Sequence, residues 1–292
     1  MVRRNTTFEV NTRRKVRALA LPLLMALAYM LKPLLQFLPE VDERIQAAHR
    51  VALFLDFDGT LAPIVDDPAT AQLSSEVREI LVRIAGRDSI VTTVLSGRAV
   101  EDVYVRTRLE GVIYGGNHGL EIFGRGLRFV EPEADARRHE LRRLVEVVAA
   151  KLRHVPGVIV EDKGLTTSIH FRQAAECDVP AVEEAVRSSV APAGAFFRLN
   201  NGRKVFEIVP RTGWHKGAAV QWILAHLDES GVLPIYLGDD NSDEDAFAVL
   251  TDGITVRVGG PPASCAQYRV PGPAEVYQFL LWLESRVAER SS

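Results

Sequence analysis

Val51-Ala52-Leu53-Phe54-Leu55-Asp56-Phe57-Asp58-Gly59-Thr60 is the stretch that decides the fold. Five successive apolar residues read as a strand buried on both faces, the habit of a parallel sheet. The strand ends in two carboxylates two residues apart. Buried carboxylates are costly unless cations or hydrogen bonds compensate them. Gly59 allows a tight turn, so the chain can fold around a bound group. An acidic turn that merely caps the next helix is the plain alternative, and the apolar strand ahead of it argues against that.

The same rhythm recurs on either side. Ile90 to Leu95 is a second apolar run, ending in Ser96-Gly97-Arg98, and Val112 to Tyr114 is a third, ending in Gly115-Gly116-Asn117-His118-Gly119. Pro234 to Leu237 ends in Gly238-Asp239-Asp240, and Ile254 to Val258 follows. Helices are predicted at 40–50, 75–85, 100–109, 214–227, 244–250 and 274–288. Alternating strands and helices predict an α/β fold, a doubly wound, Rossmann-like parallel sheet whose ligands sit at the carboxyl ends of the strands. Between residues 121 and 210 the rhythm changes. One long helix is predicted from Ala134 to Arg153, then paired strands at 158–162 and 167–171, a helix at 179–190, and a hairpin turning at Asn201-Gly202. The chain therefore divides into a basic and apolar N-terminal extension (1–44), a split core (45–125 and 210–292) and an inserted α+β module (126–209).

Composition narrows the function. The chain carries a formal net charge of −3, which offers no electrostatic basis for binding nucleic acid. Two cysteines, Cys177 and Cys265, make neither a disulfide framework nor a zinc site. Arg3, Arg4, Arg13, Arg14, Lys15 and Arg17 precede an apolar run from Ala18 to Leu31 that Pro22 interrupts. Residues 1–40 thus read as an export or membrane-anchoring segment, a basic interfacial helix giving weak membrane association, or an extension packed on the protein.

Three further stretches carry chemistry. Gly238 is followed by Asp239-Asp240-Asn241-Ser242-Asp243-Glu244-Asp245, an oxygen-rich cluster that suits Mg²⁺ better than Zn²⁺. Acids favour helix N-termini, which accounts for Asp243 to Asp245 but poorly for Asp239. The Ser96 hydroxyl and neighbouring backbone N–H groups suit phosphate at a helix start. Lys216 stands at another helix start, against the helix dipole, where it is a candidate for pairing with a bound anion.

Asp56-x-Asp58-Gly-Thr60, Ser96-Gly-Arg, Lys216 and Gly238-Asp-Asp-x-x-Asp243, in that order, resemble the haloacid-dehalogenase superfamily of aspartyl phosphatases. The resemblance implies Asp56 as nucleophile and Asp58 as acid to the leaving oxygen, then base to water. It implies Thr60 and Ser96 as holders of the phosphoryl oxygens and Lys216 as a neutralising charge. It further implies Mg²⁺ on Asp56, Asp239 and the Asp58 carbonyl, supported by Asp240 and Asp243. An insert at this point in the chain resembles that superfamily's C2-type cap.

Asp58 to Ile64, Gly116-Asn117-His118-Gly119-Leu120-Glu121, Glu161-Asp162-Lys163 with His170-Phe171-Arg172, and Gly202-Arg203-Lys204-Val205-Phe206-Glu207 resemble the trehalose-6-phosphate phosphatases. This implies hydrolysis of trehalose 6-phosphate, with Lys163, His170 and Glu207 meeting sugar hydroxyls from the cap, Arg172 supporting them, and Asn117 and His118 approaching from the core. Two positions depart from that family's habit. Ser242 stands where threonine is common, and Val209 where a basic residue often precedes the proline. The alternatives are another sugar-phosphate phosphatase of the same cap type, acting on sucrose phosphate or mannosyl phosphoglycerate, or a silent regulatory module that binds a sugar phosphate or a trehalose-phosphate synthase partner. A cytoplasmic location is expected, because a spanning N-terminus would carry the enzyme away from a cytosolic substrate.

Overall fold

The computed structural model describes residues 31–202, 204–227, 230–260 and 263–289. The strands are β1 (Lys32–Pro33), β2 (Arg50–Asp56), β3 (Ile90–Leu95), β4 (Ile113–Gly116), β5 (Glu121–Gly124), β6 (Leu127–Val130), β7 (Ile159–Asp162), β8 (Thr167–His170), β9 (Phe197–Gly202), β10 (Val205–Pro210), β11 (Val232–Gly238), β12 (Ile254–Val258) and β13 (Tyr268–Val270). They form one sheet of order β1-β13-β12-β11-β2-β3-β4-β5-β6 and a second of order β7-β8-β10-β9. The large sheet is parallel from β1 to β4, and β5 then pairs antiparallel with both β4 and β6.

Strand β2 lies between β11 and β3, and its side chains feed two cores. Val51, Leu53 and Leu55 join one cluster with Ile80, Val103 and Phe279, while Ala52 and Phe54 join another with Val220, Ile223 and Phe247. Alternate residues of a strand face opposite ways, so a run with no polar member needs helices on both sides. Here they are. Helices Ser75–Ala85, Val100–Thr107 and Pro273–Glu289 cover one face, and Lys216–His226 and Asn241–Val249 cover the other. Burying each such side chain contributes about 1.5–3 kcal/mol relative to leaving it exposed.

The small sheet is antiparallel and packed on one face only. Ile169, Phe206 and Ile208 meet Leu141, Leu144 and Val148 of helix Arg138–Leu152 and Val182 and Val186 of helix Val179–Val190. Its other face carries Glu161, Ser168, His170 and Glu207, because Ser168 stands opposite both Glu161 and Glu207 in the ladders. Those side chains turn toward the carboxyl ends of the large sheet and share a cleft with them.

Several expectations change. The long helix is two, Pro132–Ala136 and Arg138–Leu152, because Arg137 leaves helical geometry at φ −98°, ψ 3°. The apolar periodicity ran through both pieces and concealed the break. The hairpin of the small sheet pairs Gly202 with Val205, so it turns later than Asn201-Gly202, and Lys204 takes φ 62°. The β5–β6 hairpin, unforeseen, belongs to the large sheet and lies across the boundary drawn between residues 125 and 126.

The extension drawn over 1–44 is part of the core from Leu31 onward. Lys32–Pro33 pairs with β13, Leu34, Val41 and Ile45 are fully buried, and Glu40 accepts from the Tyr268 hydroxyl at 2.8 Å. Residues 1–30, where the basic cluster and most of the apolar run fall, lie outside the described residues. Among the described residues no helix is long and apolar enough to cross a membrane. Leu34→Ala should lower stability by about 2–5 kcal/mol, read as a fall in the urea midpoint at unchanged m-value. An appended segment would leave the midpoint where it was.

Candidate active site

A parallel sheet brings the ends of β2, β3, β4 and β11 to one edge, and so gathers residues 56, 96, 117–118 and 239 from across the chain. Asp56 is 5% exposed. One of its oxygens accepts from the Lys216 ammonium at 2.7 Å, and the same ammonium donates to Asp243 Oδ1 at 2.6 Å. Lys216 and Asp243 are buried with it. Carboxylate oxygens of Asp56, Asp239 and Asp243 all lie within 4.8 Å of one another.

Three carboxylates face one ammonium, so the cluster carries excess negative charge in a dry place. Burial, with Asp243 and Asp239 close by, pushes Asp56 well above the usual carboxylate range despite Lys216. Burial and Asp243 push Asp239 up to about 7. Burial opposes the Lys216 charge, but Asp243 and Asp56 outweigh it and hold the ammonium protonated. The donors are all hard oxygens and the deficit is positive charge. A divalent cation such as Mg²⁺ fits both.

Gly59 makes the close approach feasible. It takes φ +83°, and a Cβ there would run into the Asp239 carboxylate. Thr60 is fully buried and its hydroxyl has no hydrogen-bond partner among the described residues. Ser96 lines the cleft and accepts from the Arg98 N–H at 3.2 Å. Asp240 is exposed on the cleft wall, and its backbone N–H donates to Asp243 Oδ2 at 2.9 Å.

Asp58 does not stand free. Arg98 grips it with Nε and Nη2 at 2.7 and 2.8 Å. The same guanidinium reaches Asp102 at 2.9 Å and the Pro68 carbonyl at 2.9 Å. Ser96-Gly-Arg was read for its serine, and the arginine was overlooked. Its signal was present: an arginine three residues after a strand end, opposite a second strand end bearing carboxylates.

On the opposite wall, Lys163 donates to the Gly97 carbonyl at 2.8 Å and to Glu207 at 3.4 Å. His118 Nε2 lies 3.3 Å from Glu207. His118 takes φ 60° and its preceding residue φ 50°, a left-handed pair that aims the ring across the cleft. Burial opposes the charge of Glu207, but His118 and Lys163 more than offset it and hold the carboxyl far below its usual range. Ser168 adds a hydroxyl at 3.3 Å, and His170 pairs with Glu161 at 2.9 Å. Neither Ser168 nor Glu161 was among the expected site residues, although the two-residue repeat of the strands puts them beside Glu207 and His170.

Two of the residues expected to bind or support the sugar are engaged with protein partners in this structure. Asn117 is fully buried and spends its amide on Glu121, Thr166 and the Lys163 carbonyl, tying the two sheets together out of reach of the cleft. Arg172 lines the cleft, but its guanidinium donates to the Val65 carbonyl at 3.1 Å and to Asp66 at 3.3 Å, bridging the small sheet to the loop after β2. The cleft, about 780 Å³, is also walled by Pro63 to Asp66 and by Val258 to Gly260.

The Glu207 contribution to stability has a definite sign. A carboxyl depressed on folding stabilises fully above its ordinary value of 4.5 and loses that share as pH falls below it. The gap in melting temperature between wild type and Glu207→Gln should therefore narrow on titration from about pH 6 to about pH 3. A gap that holds constant would remove the ion pairs from the account.

The trehalose-phosphatase family profile matches residues 54–269. A maize protein named trehalose 6-phosphate phosphatase RA3 is 36% identical over 261 residues, covering 82% of this chain and 72% of its own length. A trehalose-phosphate phosphatase of Mycobacterium tuberculosis is 39% identical over 241 residues, which is 80% of this chain but only 61% of that protein. The crystal structure of a trehalose-6-phosphate phosphatase related protein superposes with a TM-score of 0.73 at 21% identity, covering 82% of this chain and 99% of that one. The last shows the α/β fold alone, and the profile and the maize relative show kinship: this chain belongs to the trehalose-phosphatase family.

Proposed function

We propose that this chain hydrolyses trehalose 6-phosphate to trehalose and inorganic phosphate by phosphoryl transfer to Asp56. The observation that carries the reading is a single cleft with two unlike walls. One bears a buried carboxylate and ammonium at 2.7 Å, and the other bears Lys163, His170 and Glu207.

Each residue then has a task. Asp56 attacks phosphorus and the bond from phosphorus to the sugar oxygen breaks. Asp58 gives that oxygen its proton, later takes one from the water that attacks the aspartyl phosphate, and Asp56 returns as a carboxylate. To do so, Asp58 must exchange part of its grip on Arg98 for the substrate. Lys216 neutralises charge on the nucleophile and the phosphoryl group, and the Thr60 and Ser96 hydroxyls meet phosphoryl oxygens. Mg²⁺ would be held by Asp56, Asp239 and the Asp58 carbonyl, with Asp240 and Asp243 in support, and would supply the positive charge that lets an anion approach a phosphate dianion.

Lys163, His118, His170 and Glu207 offer both donors and acceptors, which sugar hydroxyls require. They hydrogen-bond one another, Glu161, Ser168 or nearby backbone in this structure and would exchange those partners for the sugar. Arg172 supports that wall through the loop after β2. The presence of Asp56, Asp58, Lys216 and Asp239 together favours an enzyme over a silent binding module. The reading implies a cytoplasmic site of action, beside a synthase that makes the substrate. Any weak membrane association would be conferred by residues 1–40.

Phosphate release from trehalose 6-phosphate should need Mg²⁺, stop with a chelator, and exceed release from glucose 6-phosphate and sucrose 6-phosphate. Asp56→Asn should lower it by about 10³-fold or more. Preference for another sugar phosphate would keep the chemistry and overturn the substrate. Full turnover by Asp56→Asn would overturn the chemistry.

A further inference from the structure

Tyr236 is a fully buried titratable group for which the steps above have no use. It lies in the interior strand β11, next to β2, and its hydroxyl donates to Asp243 Oδ1 at 2.7 Å. We propose that Tyr236 is a positioning residue for the phosphoryl transfer: its hydroxyl fixes Asp243 as the acceptor for Lys216, and so keeps the ammonium aimed at Asp56. The inference rests on Asp56 being the nucleophile.

Hydrogen-bond counting carries it. A carboxylate oxygen accepts about two hydrogen bonds. Asp243 Oδ1 takes the Tyr236 hydroxyl and the Lys216 ammonium, while Oδ2 takes the Asp240 backbone N–H. Oδ1 is thereby filled, and the carboxylate is held from three directions in a site closed to water. Lys216 has three N–H donors. Two are spent, on Asp243 and Asp56, which leaves one for an incoming phosphoryl oxygen. Without the tyrosine hydroxyl, Oδ1 would have an empty acceptor position and no water to fill it. Asp243 would then draw the ammonium toward itself and away from Asp56, because an unmatched acceptor in a dry site is expensive.

The ring is held independently of the hydroxyl. It stacks on Phe54 with centroids 6.2 Å apart and meets Phe247 edge-on at 5.6 Å. Phenylalanine would keep both contacts, so Tyr236→Phe removes one hydrogen bond and little packing. This separates positioning from folding.

The experiment compares wild type, Tyr236→Phe and Asp56→Asn in steady-state hydrolysis of trehalose 6-phosphate at saturating Mg²⁺, with melting temperatures recorded beside the rates. Tyr236→Phe should lower kcat about tenfold with KM within about twofold, and its melting temperature should stay within about 4 °C of wild type. In an Asp243→Asn background the same substitution should cost less than about twofold more, because its effect passes through Asp243. An unchanged kcat overturns the proposal. So does a loss that disappears when rates are corrected for the folded fraction, or one that persists undiminished in the Asp243→Asn background. If Asp56→Asn retains turnover, the nucleophile assignment fails and the proposal fails with it. If Asp56→Asn is dead and Tyr236→Phe is not, only the proposal fails.

Discussion

A single buried ammonium holds the catalytic half of this molecule together. Lys216 reaches Asp56 at the end of β2 and Asp243 in the helix after β11. Opposite charges removed from water must compensate one another closely, since each would otherwise lose several kcal/mol of hydration. That requirement sets the distance between strand and helix ends, and the rest follows. Gly59 has to lack a side chain because Asp239 stands against it, and Gly238 has to lack one because Asp243 does. The same closeness leaves the cluster short of positive charge, which gives a structural joint the donor set that a cation would fit.

The small sheet answers a different need. Its packed face follows ordinary burial logic, with aromatic and branched residues against two helices. Its open face gathers acids, bases and hydroxyls that would be poor choices for a free surface. Glu207 illustrates this, because His118 comes from the large sheet and Lys163 from the small one. One carboxylate thus senses both bodies. With Arg172, and with Asn117 behind the cleft, it makes the contacts between the two sheets polar and few in kind.

Much of this was legible beforehand. The run Val51–Leu55 could only be a strand covered on both faces, and the polar strand ends then had to share an edge. Asp56 and Asp239 followed from that inference without knowledge of any contact, whereas Lys216, at a helix start, came from its place against the helix dipole and from the family resemblance. What escaped was information held in pairings rather than in periodicity. Asn117 reads as a sugar ligand until one sees that Thr166 and the Lys163 backbone claim its amide. Arg98 gives no periodic signal, since its importance lies in a partner forty residues away. The segment around Leu34 and Ile45 looked like an appendage because a short apolar run beside a basic cluster resembles a leader. Only the ladder of β1 on β13 distinguishes a core element from a tail.

That ladder bears on how copies of the protein behave toward one another. A parallel sheet that stops abruptly offers its last strand as a template for a neighbour's backbone. Among the described residues the final strand on one side is two residues long, and one of them, Pro33, has no N–H to offer. A lysine stands beside it, tied to Glu40. Such an edge gives a passing strand almost nothing to bind. The segment that closes the core at this end therefore also blunts the sheet against growth from one molecule to the next.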